Sequence, residues 1–402
     1  MRIHIVNQYV RLPWQDGGTR HFLIARELVR RGHDVTLVAS PVNYASGRPE
    51  QGVSPGLAEY DGVKVLWLET PPYRSHSVSR IWNMLVFAAR VMYSQAAAKL
   101  PVPDVVIGSS PHLFAAVAAR RRAAAAAVPF LFEVRDLWPL SLQEISGFSD
   151  RHPLIRIFRR AESSCYRHAA RTITLLPNAA AYMEAHGADR GSVRWIPNGV
   201  ELQPLPEDAG GEREGRFIVT YTGTHARANA LETILQAAGL LQERGYGDDI
   251  LFRFVGRGSE KGRLQKMAQQ RAPGMVEFLD PVPKQEVLSV LAGTDACIAT
   301  LKAIPLYRHG ISLNKLFDYL AAARPVILAG DSPRNPVELS GGGIVVPPGD
   351  PAAIAEAVLR LKAMPEAERR EMGRAGRRYV ERNHSIPVLA DRFEQVLKEV
   401  AG

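Results

Sequence analysis

Ile3-His-Ile-Val-Asn7, a loop through Gly17-Gly18, the segment Thr19 to Arg31, and Asp34-Val-Thr-Leu-Val-Ala39 together decide the fold. The first and last segments are short and apolar, which predicts strands; the middle one is helical in length and is stopped by Gly32. Strand, helix, strand in that order is a βαβ unit, and a parallel sheet follows from it. Further strands are expected at Val63–Leu68, Val105–Ser109, Pro129–Val134, Thr172–Leu176 and Val193–Ile196. The second half repeats the pattern at Phe217–Thr222, Leu251–Val255, Val276–Leu279, Ala296–Thr300, Pro325–Leu328 and Gly343–Val346. Leu202 to Arg216 is rich in Pro, Gly and acidic residues, the composition of a linker. The expected organisation is a domain at 1–200, a linker at 201–216, a second domain at 217–382 and a tail at 383–402 with an amphipathic helix over Ile386–Val400. The fold class is α/β, with two doubly wound, Rossmann-like domains facing across a cleft and ligands beyond the carboxyl ends of the strands.

A chain of 402 residues is too long for one typical core, and 46% hydrophobic residues can build two. No apolar run reaches the ~18–20 residues of a membrane span, and Met1-Arg-Ile-His-Ile-Val6 reads as a strand start rather than a signal peptide. A cytoplasmic location is the expectation. Cys165 and Cys297 lack metal-type spacing and read as reduced core residues. Residues 1–200 carry 24 Lys+Arg against 15 Asp+Glu, whereas residues 201–402 carry 26 of each. The basic half suits an anionic membrane surface or a phosphorylated acceptor. Nucleic acid is disfavoured, because no module motif is present and aromatics do not interleave with the basic residues.

Gly310 to Ile327 carries the chemistry. Ser312 is expected to cap a helix whose apolar face is Leu316, Phe317 and Leu320 and which ends near Pro325. The N–H groups of Leu313, Asn314 and Lys315 would sit at its positive end, where a phosphate is favoured. Asp318 follows Asn314 by one turn, about 6 Å along the axis, roughly the offset between a pyrophosphate and the ribose diol of one nucleotide.

These residues carry a resemblance. The chain resembles retaining glycosyltransferase family 4, of GT-B fold, and within it the WbuB-like branch of bacterial surface-polysaccharide transferases. The likeness rests on Gly17-Gly-Thr-Arg20, Phe132-Glu-Val-Arg-Asp-Leu-Trp-Pro139, Ile196-Pro-Asn-Gly-Val200, Tyr221-Thr-Gly-Thr224, Phe254-Val-Gly-Arg-Gly258 and the Gly310 to Ile327 block. It implies a nucleotide-diphosphate sugar, UDP-linked, in the second domain, an acceptor in the first, and transfer with retained configuration. It also implies a tail helix crossing back to the first domain and no cofactor or metal.

The resemblance places Asp318 on the ribose and Lys315 at the diphosphate, with backbone groups of Ile311, Ser312, Leu313 and Asn314 nearby. The family's first acid, which contacts the donor sugar, falls on Gly310, and its usual Arg and Lys pair falls on Thr224 and Ala230. Arg227, Arg257 or His225, in the loops that start at Gly223 and Gly256, are the candidates for the missing cation. Gly17 and Gly18 precede a helix and would let backbone approach the diphosphate. His112 reads either as a contact to the donor sugar or as a helix-start residue. Asp136 ends a strand where it could orient or deprotonate the acceptor hydroxyl, with a cap or an ion pair to Arg135 as the other reading, and Glu133 replaces it if the register slips. Asn198-Gly199 reads as a structural turn.

Val78–Leu100 and Arg151–Arg160 are basic amphipathic stretches. They read as core helices with a wet face, or as a surface resting on the anionic inner leaflet to reach a lipid-linked or oligosaccharide acceptor. Two other functions fit the fold: a non-hydrolysing sugar-nucleotide epimerase, whose cluster of acids and histidines this sequence does not show, and a degenerate nucleotide-binding non-enzyme, suggested by Gly310, Thr224 and Ala230.

Overall fold

A computed structural model describes residues 1–15, 17–44, 46–74, 78–205 and 215–401; most of the expected linker, 206–214, lies outside them. The chain divides into two units. Met1–Pro13, Gly17–Pro197 and Ile386–Gly402 make the first, and Trp14–Asp16 with Asn198–Ser385 make the second.

The first unit runs β1 (Arg2–Val6), α1 (Arg20–Arg30), β2 (Asp34–Ala39), β3 (Gly56–Tyr60), β4 (Val63–Trp67), α2 (Val78–Tyr93) and α3 (Gln95–Ala98). It continues with β5 (Val105–Ser109), α4 (Leu113–Ala125), β6 (Phe130–Val134), α5 (Leu140–Ser146), α6 (Pro153–His168), β7 (Arg171–Thr174), α7 (Ala180–Ala185) and β8 (Val193–Trp195). The sheet order is β3-β4-β2-β1-β5-β6-β7-β8. The opening βαβ unit forms as expected, with Ile3 opposite Val35 in parallel register. β5 and β6 are buried at every position, which is why they read as unbroken apolar runs. β3 escaped the sequence reading. It is an antiparallel edge strand with mostly exposed side chains, so it lacks the apolar signature of its neighbours.

The second unit runs β9 (Phe217–Thr222), α8 (Glu232–Glu243), β10 (Ile250–Val255), α9 (Lys261–Arg271), β11 (Val276–Leu279), α10 (Val287–Ala292) and β12 (Ala296–Thr300). Then follow α11 (Asn314–Ala321), β13 (Val326–Ala329), α12 (Pro336–Ser340), β14 (Gly343–Val346), α13 (Pro351–Ala363) and α14 (Glu366–Asn383). Its sheet is parallel throughout, in the order β11-β10-β9-β12-β13-β14. The order reverses between β9 and β12, and the crevice beyond the carboxyl ends at such a point is where doubly wound sheets take ligands. Gly223 follows β9, Gly256 follows β10, and α11 comes after β12.

The tail helix α15 (Ile386–Ala401) belongs to the first unit. Ile386, Leu389, Phe393, Val396 and Leu397 join the core that holds β1, α1 and β2, each worth about 1.5–3 kcal/mol on burial. Arg31 at the end of α1 pairs with Asp391 at 2.6 Å and Glu394 at 3.3 Å.

Candidate functional site

Ser312 does not cap α11. The helix starts at Asn314 with Leu313 in the cap position, and among the described residues it has no side-chain cap. Ser312 Oγ instead accepts the Asn198 backbone N–H at 2.8 Å, and the Ser312 carbonyl accepts from Asn198 Nδ2 at 2.6 Å. The N–H groups of Asn314 and Lys315 thus stand at the positive helix end without a side-chain cap among the described residues. Tyr319 fastens α11 to the end of β9: its hydroxyl accepts the Thr222 N–H at 2.7 Å and donates to the Thr222 carbonyl at 3.2 Å. Ile311 is buried, and Gly310 just before it has φ +107°. An L-residue is strained there, so the family's acid is excluded by this loop's backbone as well as by the sequence.

Lys315 lies against the β9 loop. Its Nζ donates to Tyr221 Oη at 2.7 Å and Asn229 Oδ1 at 3.1 Å and sits 4.2 Å from the centre of the Tyr221 ring. Among the described residues no carboxylate pairs with it. Loss of water around the ammonium lowers its pKa to about 7. A Cβ added at Gly223, where φ is +136°, would stand 3.4 Å from Nζ, and one added at Gly256 would overlap the Gly223 carbonyl. These two glycines let the loops meet around the lysine.

The other cation candidates are placed differently. Arg227 is exposed and pairs with Glu260 at 3.4 Å. Arg257 is exposed, and its carbonyl accepts the His225 N–H at 2.9 Å. His225 is buried, and its pKa falls to about 4 because of desolvation, with Lys261 and Lys315 adding repulsion. It is neutral at pH 7 and supplies no positive charge. Asp318, largely buried, accepts from Lys284 Nζ at 2.5 Å. No motif marks Lys284 in the sequence.

In the first unit, Gly17 has φ +117° and, with Gly18, precedes α1 as expected. His112 is the cap residue of α4: Nδ1 accepts from the Ala115 N–H at 3.4 Å, while Nε2, buried, has no hydrogen-bond partner among the described residues. Burial, with the charge of Arg80, holds the ring pKa down to about 3, so it is neutral. Glu133 is committed elsewhere. Arg20 Nε at 3.0 Å, His21 Nε2 at 2.5 Å and Ser109 Oγ at 2.6 Å surround its buried carboxylate and hold it well below the usual range, closing it to an acceptor hydroxyl. Asp136, past the end of β6, is exposed. A carboxylate can touch water and still be poorly hydrated where most of its surroundings are protein; desolvation raises its pKa against the pull of Arg135. Among the described residues no group of three or more His, Cys, Asp or Glu is placed to hold a metal ion.

Two family models match in tandem, "Glycosyl transferase 4-like domain" over residues 17–199 and "Glycosyl transferases group 1" over residues 216–363. Sucrose-phosphate synthase from Thermosynechococcus elongatus has the same fold, with a TM-score of 0.76 and 18% identity over 99% of this chain and 98% of that one. The chain belongs to the GT-B glycosyltransferases. Anabaena HepE in complex with UDP-glucose superposes on this transferase with a TM-score of 0.71 and 13% identity, over 99% of this chain and 100% of that one. WcaI of Escherichia coli K12, described as a colanic acid biosynthesis glycosyl transferase, is 22% identical over 286 residues, 67% of this chain and 69% of that protein. The group 1 match contains Tyr221, Gly223, Gly256, Lys315 and Asp318, whereas Asn198, which holds Ser312, lies at the end of the 17–199 match.

Proposed function

We propose that this transferase moves a sugar, N-acetylated amino or deoxy, from a UDP-linked donor to a hydroxyl of a glycan or lipid-linked acceptor, with retention. The setting is bacterial surface-polysaccharide assembly, lipopolysaccharide O-antigen or capsule, in the cytoplasm and within the WbuB-like branch. The observation that carries the reading is Lys315: an ammonium without a carboxylate partner among the described residues, at the head of α11, one turn before Asp318. A diphosphate there meets N–H donors and a cation, and its ribose meets a carboxylate. HepE with UDP-glucose and the WcaI description support the donor and the pathway.

Transfer requires charge stabilisation on the departing diphosphate, which the helix head and Lys315 supply without a metal. In the first unit, neutral His112 is the candidate for the donor sugar, and Asp136, its pKa raised, is the candidate to orient or deprotonate the acceptor hydroxyl. A thermal-shift series with UDP, dTDP and GDP checks the donor. UDP is expected to give the largest stabilisation, which grows with ligand as RT ln(1 + [L]/Kd). A larger shift with GDP would reassign the base; no shift with any of the three would sink the site.

The acceptor side adds a membrane contact. Val78, Trp82, Leu85 and Tyr93 are exposed along α2, and Ile157 of α6 is exposed beside Arg156 and Arg160. Apolar side chains set among arginines suit an anionic leaflet. The protein is expected to co-sediment with vesicles containing anionic lipid and to leave them as salt rises. Sedimentation indifferent to anionic lipid would remove this part. Among the described residues no helix is long and apolar enough to cross a membrane.

A further inference from the structure

Asn198 opens the second unit, and both of its N–H donors converge on Ser312: the backbone N–H on Oγ at 2.8 Å, the side-chain Nδ2 on the carbonyl at 2.6 Å. The amide can be oriented only one way, because a carbonyl needs a donor opposite it. Asn198 is itself buried and fixed. Its carbonyl lies 3.3 Å from His384 Nδ1, the His384 ring packs on Phe317 of α11 at 4.7 Å, and Val200 N–H donates to the His384 carbonyl at 3.0 Å.

Serine is among the best capping residues, and from position 312 its hydroxyl suits the N–H of Asn314 or Lys315. Those are the two donors that a diphosphate at α11 needs. Asn198 opposes the competition through position: its backbone N–H draws the hydroxyl toward itself, and its side-chain Nδ2, the part specific to asparagine, pins the carbonyl of the same residue, so that Ser312 cannot turn into the cap position that Leu313 holds with nothing to offer.

We propose that Asn198 is a positioning residue for donor binding, holding Ser312 away from α11 so that the first-turn N–H groups of Asn314 and Lys315 are kept for the diphosphate. The inference rests on the donor reading of the same helix and goes beyond it by giving a function to the Asn198-Gly199 turn.

The test is UDP titration calorimetry with donor KM and kcat on wild type, Asn198→Ala, Ser312→Ala and the double variant. Asn198→Ala keeps the backbone N–H but removes the Nδ2 pin on the Ser312 carbonyl, letting residue 312 turn toward the helix; it is expected to weaken UDP and raise donor KM about tenfold, the effect of one lost hydrogen bond, with kcat within about twofold. Ser312→Ala keeps the backbone groups of residue 312 and removes only the hydroxyl, and it is the background against which the double variant is read. In the double variant the released competitor is gone, so at least about threefold of the lost affinity returns. A merely structural role predicts no such recovery. Wild-type affinity in Asn198→Ala or a double variant no better than Asn198→Ala overturns the inference. Failure of the wild type to bind UDP, dTDP or GDP overturns the donor reading itself, and this inference with it.

Discussion

Lys315→Met lowers kcat/KM for the donor by about a hundred- to a thousandfold, the usual cost of removing one preorganised donor from a developing anion. The ligand-free protein stays folded. Methionine keeps the length and the contact with the Tyr221 ring, and what it removes is an ammonium without a carboxylate partner among the described residues, whose burial is a cost to the fold until an anion arrives. pH identifies the cause. In the ligand-free protein Lys315 has a pKa of about 7, whereas a diphosphate beside it favours the charged form. Below pH 7 the lysine is already protonated and binding takes up no proton there. Above pH 7 binding must bring a proton with it, so affinity falls as pH rises, by up to about tenfold per unit. The neighbouring groups stay silent in this range: burial pushes Tyr221 above it, and His225 is lowered to about 4. The advantage of wild type over Lys315→Met for UDP should therefore shrink steadily from pH 7 to pH 9. UDP's own ionisation affects both proteins equally and drops out of the ratio. A ratio flat across this range would show that Lys315 does not carry the charge the diphosphate meets.

What the sequence made legible is what is encoded locally. The alternation of apolar strands and helices is visible because burial on both faces of a parallel sheet leaves continuous apolar runs, and β3 is missed because it has only an edge to occupy. The α11 helix and Asp318 on its face follow from a 3.6-residue period over a few turns. Ser312 looked like a cap because nothing nearby in sequence competes for it; the competitor, Asn198, is 114 residues away. Glu133 looked available because strand alternation gives direction but not neighbours, and Arg20 and His21 come from α1. Lys315 could be placed near a phosphate by its position on the helix, yet its inward reach between Tyr221 and Asn229 depends on two distant loops meeting through Gly223 and Gly256. Local periodicity fixes elements and faces; pairwise choices among polar groups are made by tertiary contacts.

Asp318→Ala weakens UDP by about ten- to a hundredfold, the range for hydrogen bonds to a charged group, and changes the fold little because the side chain, though only 15% exposed, packs against Lys284 rather than in the apolar core. The ligand-free carboxylate already has a partner, Lys284, at 2.5 Å, so two roles compete. A part-exposed ion pair of this kind contributes at most about 1 kcal/mol to stability, and its loss alone does not account for a tenfold effect on a ligand. Lys284→Met separates the roles. If Asp318 accepts from the ribose diol, freeing it from Lys284 costs UDP affinity less than removing the carboxylate does. If the pair is structural, both variants lower the melting temperature alike and neither changes UDP binding. The 2′-hydroxyl makes the assignment atomic: wild type should prefer UDP over 2′-deoxy-UDP, and Asp318→Ala should lose most of that preference, since a missing hydroxyl costs little where no carboxylate waits for it. Equal discrimination in the two proteins would move the ribose away from Asp318, and the diphosphate one turn earlier would lose its companion contact.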